Sequence, residues 1–297
     1  MYHAQRPVHT PVLLDEVVAW LQLRQDGLYV DGTIGLGGHA EAILDGSGPN
    51  GHLIGFEWDR NAAALAIDRL SRFGDRVQVV QTSYVNLVSE LARLGVQGID
   101  GLVVDLGVSS LQLDSPERGF SFQLDGALDM RMDQRNPQTA AALVARLSEG
   151  QLADVFYHFG EERQARRIAR FLVQARQKEP ITTTARLAAI VAEAIPKRYH
   201  PLKVHVATKV FQALRIAVNT ELVNLADLLA GAPEVLRKGA RICVITFHSL
   251  EDRMVKRAFA DNPTYRVLTR HPVEVSRAEV ERNPRSRSAK LRVAARV

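Results

Sequence analysis

The chain has 297 residues, 46% hydrophobic and 24% charged, with 38 Lys and Arg against 33 Asp and Glu for a net charge of +5. This composition is that of an ordinary globular protein and excludes a disordered, collagen-like or disulfide-scaffold chain. A single cysteine, Cys243, excludes an intrachain disulfide and a cysteine-based zinc cluster, and it points to a reducing, cytoplasmic location.

The first third of the sequence alternates between helical and strand patterns. Pro11–Leu21 reads as a helix, Leu28–Val30 as a buried strand ended by Asp31-Gly32, and His39–Leu44 as a helix opening after a glycine-rich turn. Leu53–Phe56, Val77–Val80 and Leu102–Leu106 are further strands, with helices predicted over Asn61–Phe73 and Leu87–Leu94. Such alternation predicts an α/β fold with a parallel sheet and helices on both faces. From Pro116 to His205 no strand is predicted. Leu143–Ala145, Leu152–Phe159, Ala165–Ala175 and Ala185–Ile195 read as helices there, and one long helical stretch runs from Val206 to Leu229. The strand pattern returns at Arg241–Phe247, with Cys243 in its apolar core, and again at Tyr265–Leu268 and Leu291–Ala294. Between them, Arg270 to Arg287 reads as an exposed basic loop. The expected organisation is an α/β domain over residues 1–115 and 208–297, split by a helical insertion over 116–207. No stretch approaches the ~18 apolar residues that cross a bilayer. Asp15 and Glu16 interrupt the one early apolar run, so neither a membrane partner nor a secretory signal is expected.

The charge is unevenly divided. Residues 1–115 carry a net −7, residues 116–207 +4, residues 208–265 +2 and residues 266–297 +6. An acidic front and a basic rear suggest a ligand that tolerates carboxylates and a polyanionic partner.

The segment Asp31-Gly32-Thr33-Ile34-Gly35-Leu36-Gly37-Gly38-His39 follows a strand and opens a helix. Its glycines permit positive φ and close approach of a ligand to the backbone, and the helix start offers unpaired N–H groups. Gly35 to Ala40 satisfies the dinucleotide fingerprint, and Glu57, 20 residues past Gly37, stands where a carboxylate would accept from ribose hydroxyls. NAD and S-adenosylmethionine both carry that ribose. Asp31 and Asp105 end strands at the same sheet edge, where they would repel a pyrophosphate and attract an ammonium and a sulfonium. Each such pair is worth roughly 4 kcal/mol at ~4 Å in a dielectric near 20, before desolvation. The residues therefore favour S-adenosylmethionine, with a nicotinamide-dependent oxidoreductase and a catalytically silent RNA-binding assembly factor as the other readings.

A second motif, Asp105-Leu106-Gly107-Val108-Ser109-Ser110-Leu111-Gln112, follows the fourth strand. With it stand His9 to Glu16, Arg118-Gly119-Phe120-Ser121-Phe122, Leu128 to Asp133, Gly160-Glu161-Glu162-Arg163, Phe211 to Ile216, Phe247 to Arg253 and Asn283 to Ser288. Together, in this order and over nearly the whole chain, they resemble the bacterial small-subunit ribosomal RNA cytosine-N4 methyltransferases, the methyltransferase H or MraW-type family. The resemblance implies a class I S-adenosylmethionine-dependent methyltransferase fold with an all-helical inserted domain. It implies methyl transfer to the exocyclic N4 of one cytidine in the decoding centre, at the P site, of 16S rRNA, and an assembled small subunit as substrate. It also implies donor binding by Gly37, Gly38, His39, Glu57, Tyr84, Asp105 and Gln112. Glu57 stands where the family usually has Asp, with Asp59 close by, and Tyr84 where it usually has Phe. The stretch between Arg257 and Asn283 is shorter than in many relatives.

Asp31 and Gly35 join the expected donor site on physical grounds. Asp105, with Ser109 or Ser110, is expected to line the methyl-transfer site, and no metal is needed because the sulfonium supplies the electrophile. His248 is a pocket candidate, and Ser249 fits a helix cap with Asp252. RNA contact is expected at Arg163, Arg166, Arg167 and Arg170, and at Arg282, Arg285, Arg287, Lys290 and Arg292, since arginine suits phosphate forks and base stacking. A homodimer is compatible with the sequence but not indicated by it.

Overall fold

In the computed structural model the described residues are 11–202 and 204–297, so His9 and Thr10 of the first motif lie outside them. The described residues form two compact units: those up to Gly107 together with Val223–Val297, and Val108–Leu222. The second unit opens eight residues before, and closes fifteen after, the helical segment delimited from sequence.

The first unit begins as alternating helices and strands: α1 (Leu14–Leu21), β1 (Leu28–Asp31), α2 (Gly38–Gly46), β2 (His52–Phe56), α3 (Arg60–Leu70), β3 (Val77–Val80), α4 (Leu87–Arg93) and β4 (Ile99–Asp105). The second unit contributes α5 (Ser110–Asp114), α6 (Ala140–Arg146), α7 (Glu149–Gly160), α8 (Ala165–Lys178), α9 (Thr184–Ala194) and α10 (Thr208–Asn219). The chain continues through α11 (Glu221–Val235) into β5 (Leu236–Thr246), α12 (Ser249–Asp261), β6 (Tyr265–Val267), β7 (Val273–Glu274), α13 (Arg277–Arg282) and β8 (Lys290–Arg296).

The eight strands form one sheet in the order β3-β2-β1-β4-β5-β8-β6, with β7 also pairing β8. Strands β1 to β5 are mutually parallel, and β6, β7 and β8 pair antiparallel at the far side. The strand order turns back on itself between β1 and β4, which is the point where open α/β sheets bind ligands. This is the class I methyltransferase arrangement expected above.

Alternation along the strands explains the two apolar layers. On one face Leu53, Val103, Cys243 and Ile245 meet Val17 and Leu21 of α1, Ile43 and Leu44 of α2, and Leu70 of α3. On the other, Val30, Ile54, Val104 and Val244 meet Leu87 and Leu91 of α4, Leu228 and Leu229 of α11, and Val255 and Phe259 of α12. Burial pushes the Cys243 thiol far above its ordinary value, so it is a core residue and not a nucleophile.

Two expectations about elements need correction. The helical stretch from Val206 to Leu229 is two helices, because Thr220 adopts left-handed backbone (φ 50°) between α10 and α11. The Arg270 to Arg287 segment is not a bare loop. It carries β7 and α13, capped by Ser276 through Glu279 N at 3.1 Å, and Glu279 Oε1 accepts from Leu13 N at 2.9 Å.

In the second unit, α6 to α10 bury Leu143, Leu152, Phe156, Ile168, Leu172, Leu187, Val191 and Leu214. Its one β-bridge among the described residues joins Ala127 to Thr183. Asn219, at the end of α10, organises the loop that crosses it. Its Oδ1 accepts from Met132 N at 2.8 Å, and its Nδ2 donates to Met130 O at 2.7 Å. Arg118 donates to Arg131 O at 2.8 Å and Met132 O at 3.2 Å. These bonds hold buried Met130 in left-handed backbone at φ 63°, a conformation a methionine adopts only when its surroundings impose it. Asn219→Ala strands a buried donor and a buried acceptor, each worth roughly 1–3 kcal/mol. Urea denaturation is expected to show a loss of about 2–4 kcal/mol, and an unchanged midpoint would contradict this role.

Candidate active site

The carboxyl ends of β1, β2 and β4 gather the acidic residues singled out from sequence. Asp31 is the last residue of β1, Glu57 follows β2 directly, and Asp105 is the last residue of β4. Backbone bonds fix these ends to one another. Gly32 N donates to Val103 O at 2.8 Å, Ile34 N to Phe56 O at 3.0 Å, and Asp105 N to Thr33 Oγ1 at 2.6 Å.

Glycine is required at the turn that follows β1. Gly35 and Gly37 have φ of 52° and 81°, in the left-handed region. A Cβ on Gly38 would stand 2.2 Å from Pro11 Cγ, so the start of α2 and the segment before α1 can approach only without a side chain there. The N-cap of α2 is Gly37, which has no side chain to cap the first N–H groups of the helix.

Glu57 is built into this turn. Its Oε2 accepts from Gly35 N at 3.0 Å, and its Oε1 from Asp59 N at 2.9 Å. Asp59 has a separate task as N-cap of α3, its Oδ1 accepting from Asn61 N at 3.0 Å. The carboxylate presented by this strand end is therefore Glu57. Tyr84 is buried after β3, with Trp58 tilted against it at 6.3 Å between ring centroids. Sequence reasoning passed over Trp58. Its place beside Glu57 was the available signal.

His39 lies on the first turn of α2. Its Nε2 donates to Val12 O at 2.9 Å, and its Nδ1 is 3.9 Å from Asp105 Oδ2. Asp105 Oδ1 is enclosed and has no hydrogen-bond partner among the described residues. Burial raises all three carboxyl groups above the ordinary carboxylate range. Asp31 reaches about 7, with the Thr33 N–H pulling the other way. Glu57 also reaches about 7, burial being the main cause and the Asp59 and Asp31 charges adding to it. Asp105 is raised well above the usual range by burial first, then by Asp31 and Glu251.

Such a cluster stores unfavourable negative charge in a dry site and suits a ligand that brings positive charge. A pyrophosphate would add to the repulsion. The residues present thus fit S-adenosylmethionine: a ribose acceptor at Glu57, an aromatic pair at Tyr84 and Trp58, a glycine-capped helix start at Gly37, and carboxylates for the two cationic centres.

The remaining candidates stand as follows. His248 is the N-cap of α12, where it forms a reciprocal box with Glu251: His248 Nδ1 accepts from Glu251 N at 3.4 Å, and Glu251 Oε2 accepts from His248 N at 3.3 Å and also from Phe247 N at 2.8 Å. The cap expected at Ser249 is therefore one residue earlier, because the imidazole reaches the N3 amide that a serine would have taken. Ser109, Ser110 and Gln112 belong to the second unit. Ser109 caps α5 through Gln112 N at 3.3 Å, and Gln112 Oε1 accepts from Ser109 N at 3.1 Å.

Among the arginines, Arg166, Arg167 and Arg170 lie exposed on α8, with Arg163 exposed just before it. Arg282, Arg285 and Arg287 are exposed on and after α13, and Lys290 is half-buried. Arg292 must be removed from that group: it is buried on β8 with its guanidinium on Asp252, at 2.6 and 3.2 Å. Alternation along β8 turns it towards α12 and not to solvent.

The cost of the buried charge is measurable. The Asp31 carboxyl binds its proton more tightly folded than unfolded, so the chain loses stability as pH rises from about 4, and the penalty is complete once pH passes about 7. Asp31→Asn keeps an oxygen for Thr33 N and removes the charge. Ligand-free Asp31→Asn protein is expected to gain stability over wild type progressively between pH 4 and 7 in urea denaturation. A gain that did not grow with pH would contradict the assignment.

Comparison with known proteins places the chain in a family. The family model of the MraW methylase family matches residues 6–297. The chain is 54% identical to the ribosomal RNA small subunit methyltransferase H of Desulfotalea psychrophila over 98% of both chains. It is 47% identical to the protein of that name from Geotalea uraniireducens, over 97% of this chain and 98% of the other. A solved rRNA methylase from Streptococcus thermophilus aligns over the full chain and 99% of its own at 10% identity, with a TM-score of 0.45. No helix among the described residues is long and apolar enough to cross a membrane. With a family model spanning nearly all of its length and relatives at about half identity, the chain belongs to the MraW methylase family.

Proposed function

We propose that this chain is an S-adenosylmethionine-dependent methyltransferase that modifies the exocyclic N4 of one cytidine at the P site of 16S rRNA, in the small ribosomal subunit. The observation that carries this reading is the full-length family match together with the buried acidic cluster at the carboxyl ends of β1, β2 and β4. When bound, the donor supplies an electrophilic methyl on a positively charged sulfur.

The chain's own part is to bind, orient and accept. The cytosine N4 lone pair is delocalised into the ring, so the amine attacks only when held in line and relieved of a proton, and orientation supplies a large share of such a barrier. Asp105 is the residue we place at the transfer centre. Its Oδ1 has no partner among the described residues, so it can accept an N–H without breaking a bond to any of them. Its other oxygen faces His39, which Val12 O holds with the proton on Nε2. Ser109 and Ser110 follow Asp105 by four and five residues and stay candidates on that sequence ground alone. For His248 we favour the capping role.

The arginines of α8 and of the α13 segment would meet the rRNA backbone, and the target base must be unstacked to reach Asp105. The helical second unit is the proposed recognition unit.

The deciding experiment is methyl transfer from labelled S-adenosylmethionine to small subunits lacking the modification, with nucleoside digestion to identify N4-methylcytidine. The wild-type chain is expected to label one cytidine of 16S rRNA. Asp105→Ala is expected to lose about 100-fold or more in turnover, and full activity in that variant would end its role. Label at another atom would refute the proposed chemistry. Reversal of Arg282, Arg285 and Arg287 to Glu is expected to weaken RNA binding and lower the slope of log affinity against log salt by about three. An unaltered slope would exclude that segment from the RNA contact.

A further inference from the structure

The second unit carries a basic segment outside both arginine clusters. Between Ile195 and Thr220 the sequence has Lys197, Arg198, Lys203, Lys209 and Arg215 and no Asp or Glu. Helix α9 ends at Ala194, and a single tight turn follows over Lys197–Tyr199. His200 anchors this turn from beneath, its Nε2 donating to Ile195 O at 2.8 Å. Lys197, Arg198 and Tyr199 are all exposed. The Arg198 guanidinium carbon sits 4.8 Å from the Tyr199 ring centroid, yet Tyr199 remains 52% exposed.

The turn adjoins the arginine-bearing helix. Arg167 on α8 donates from Nε to Ala194 O, the last residue of α9, and its guanidinium lies 5.3 Å from the Phe171 ring. Arg167 of α8 and the turn thus border one another within the same unit, and the turn presents the exposed ring of Tyr199 beside cations.

A basic turn alone would suit any polyanion. The ring narrows the choice. Duplex RNA offers phosphates and shallow groove edges, whereas an unpaired strand also offers base faces that stack on aromatic side chains without regard to sequence. A guanidinium against one side of the ring keeps it oriented and can itself fork to a phosphate. Building on the rRNA reading above, we infer that Tyr199, braced by Arg198, is a stacking platform for an unpaired RNA base, with Lys197 and the α8 arginines on the flanking phosphates.

The test uses the full chain, a labelled oligocytidylate and a blunt RNA duplex, with Tyr199→Ala, Tyr199→Phe and Arg198→Ala. Tyr199→Ala is expected to bind the single strand roughly ten-fold more weakly. Its salt dependence is expected to stay at the wild-type slope, because an uncharged ring releases no counterion. Its duplex affinity and thermal midpoint are expected to match wild type. Tyr199→Phe is expected to restore single-strand binding, and Arg198→Ala to lower the salt slope by about one. Equal single-strand affinity in Tyr199→Ala and wild type would overturn the inference, as would equal losses on strand and duplex. Loss of self-association in Tyr199→Ala with RNA binding intact would overturn it too, by marking the turn as a contact between copies. Methyl transfer by the wild-type chain is scored separately. Active enzyme with an indifferent Tyr199 refutes only the platform, and a functioning platform on a chain that transfers no methyl refutes only the enzymatic reading.

Discussion

The first unit depends on an electrostatic tension. Three parallel strands end side by side in Asp31, Glu57 and Asp105, the first two buried and the third mostly so, with Glu251 adding its field to Asp105. A fold designed for stability alone would neutralise such a group or leave it wet. Here the backbone absorbs part of the cost: Thr33 N, Gly35 N and Asp59 N each donate to one of these carboxyl groups. What they do not cover, the second oxygen of Asp105 above all, is left for a visitor of opposite charge. Marginal stability at this sheet edge is the counterpart of affinity for a cation.

The same bonds explain why the glycine turn has one shape. Glu57 pins Gly35, Pro11 fills the space beside Gly38, and His39 ties the start of α2 to Val12. Each constraint comes from a different stretch of chain, so the turn is specified by its surroundings and not by local propensity. Binding groups held this way lose little freedom when a ligand arrives.

Much of this was legible in the sequence, and the exceptions have physical causes. Short apolar runs located β1 to β5, because strands buried on both faces are near-continuous in Val, Ile and Leu. Asp31, Glu57 and Asp105 were legible because each follows such a run directly. The break at Thr220 was not, since its left-handed backbone is imposed by two helices that each satisfy their own pattern. Helix α13 was hidden by its charge: with no buried residue it has no apolar stripe to read. The placing of Arg292 among exposed arginines failed for the opposite reason, because clustering in sequence says nothing about which face of a strand a side chain occupies. His248 as a helix cap lay outside the usual set of capping residues, so the preference for serine misplaced the helix start by one residue.

The chain order of the sheet also bears on how the molecule is made. Strand β4 ends at Asp105, but its neighbour β5 begins only at Leu236. On the ribosome, β4 therefore emerges long before its partner and exposes a full row of unpaired N–H and C=O groups while the whole of the second unit is being synthesised. That unit has its own apolar interior from α6 to α10 and can close during the wait. Early folding of the inserted segment shortens the span that must be bridged before β5 docks, so the insertion serves as a staging element for the sheet that it interrupts.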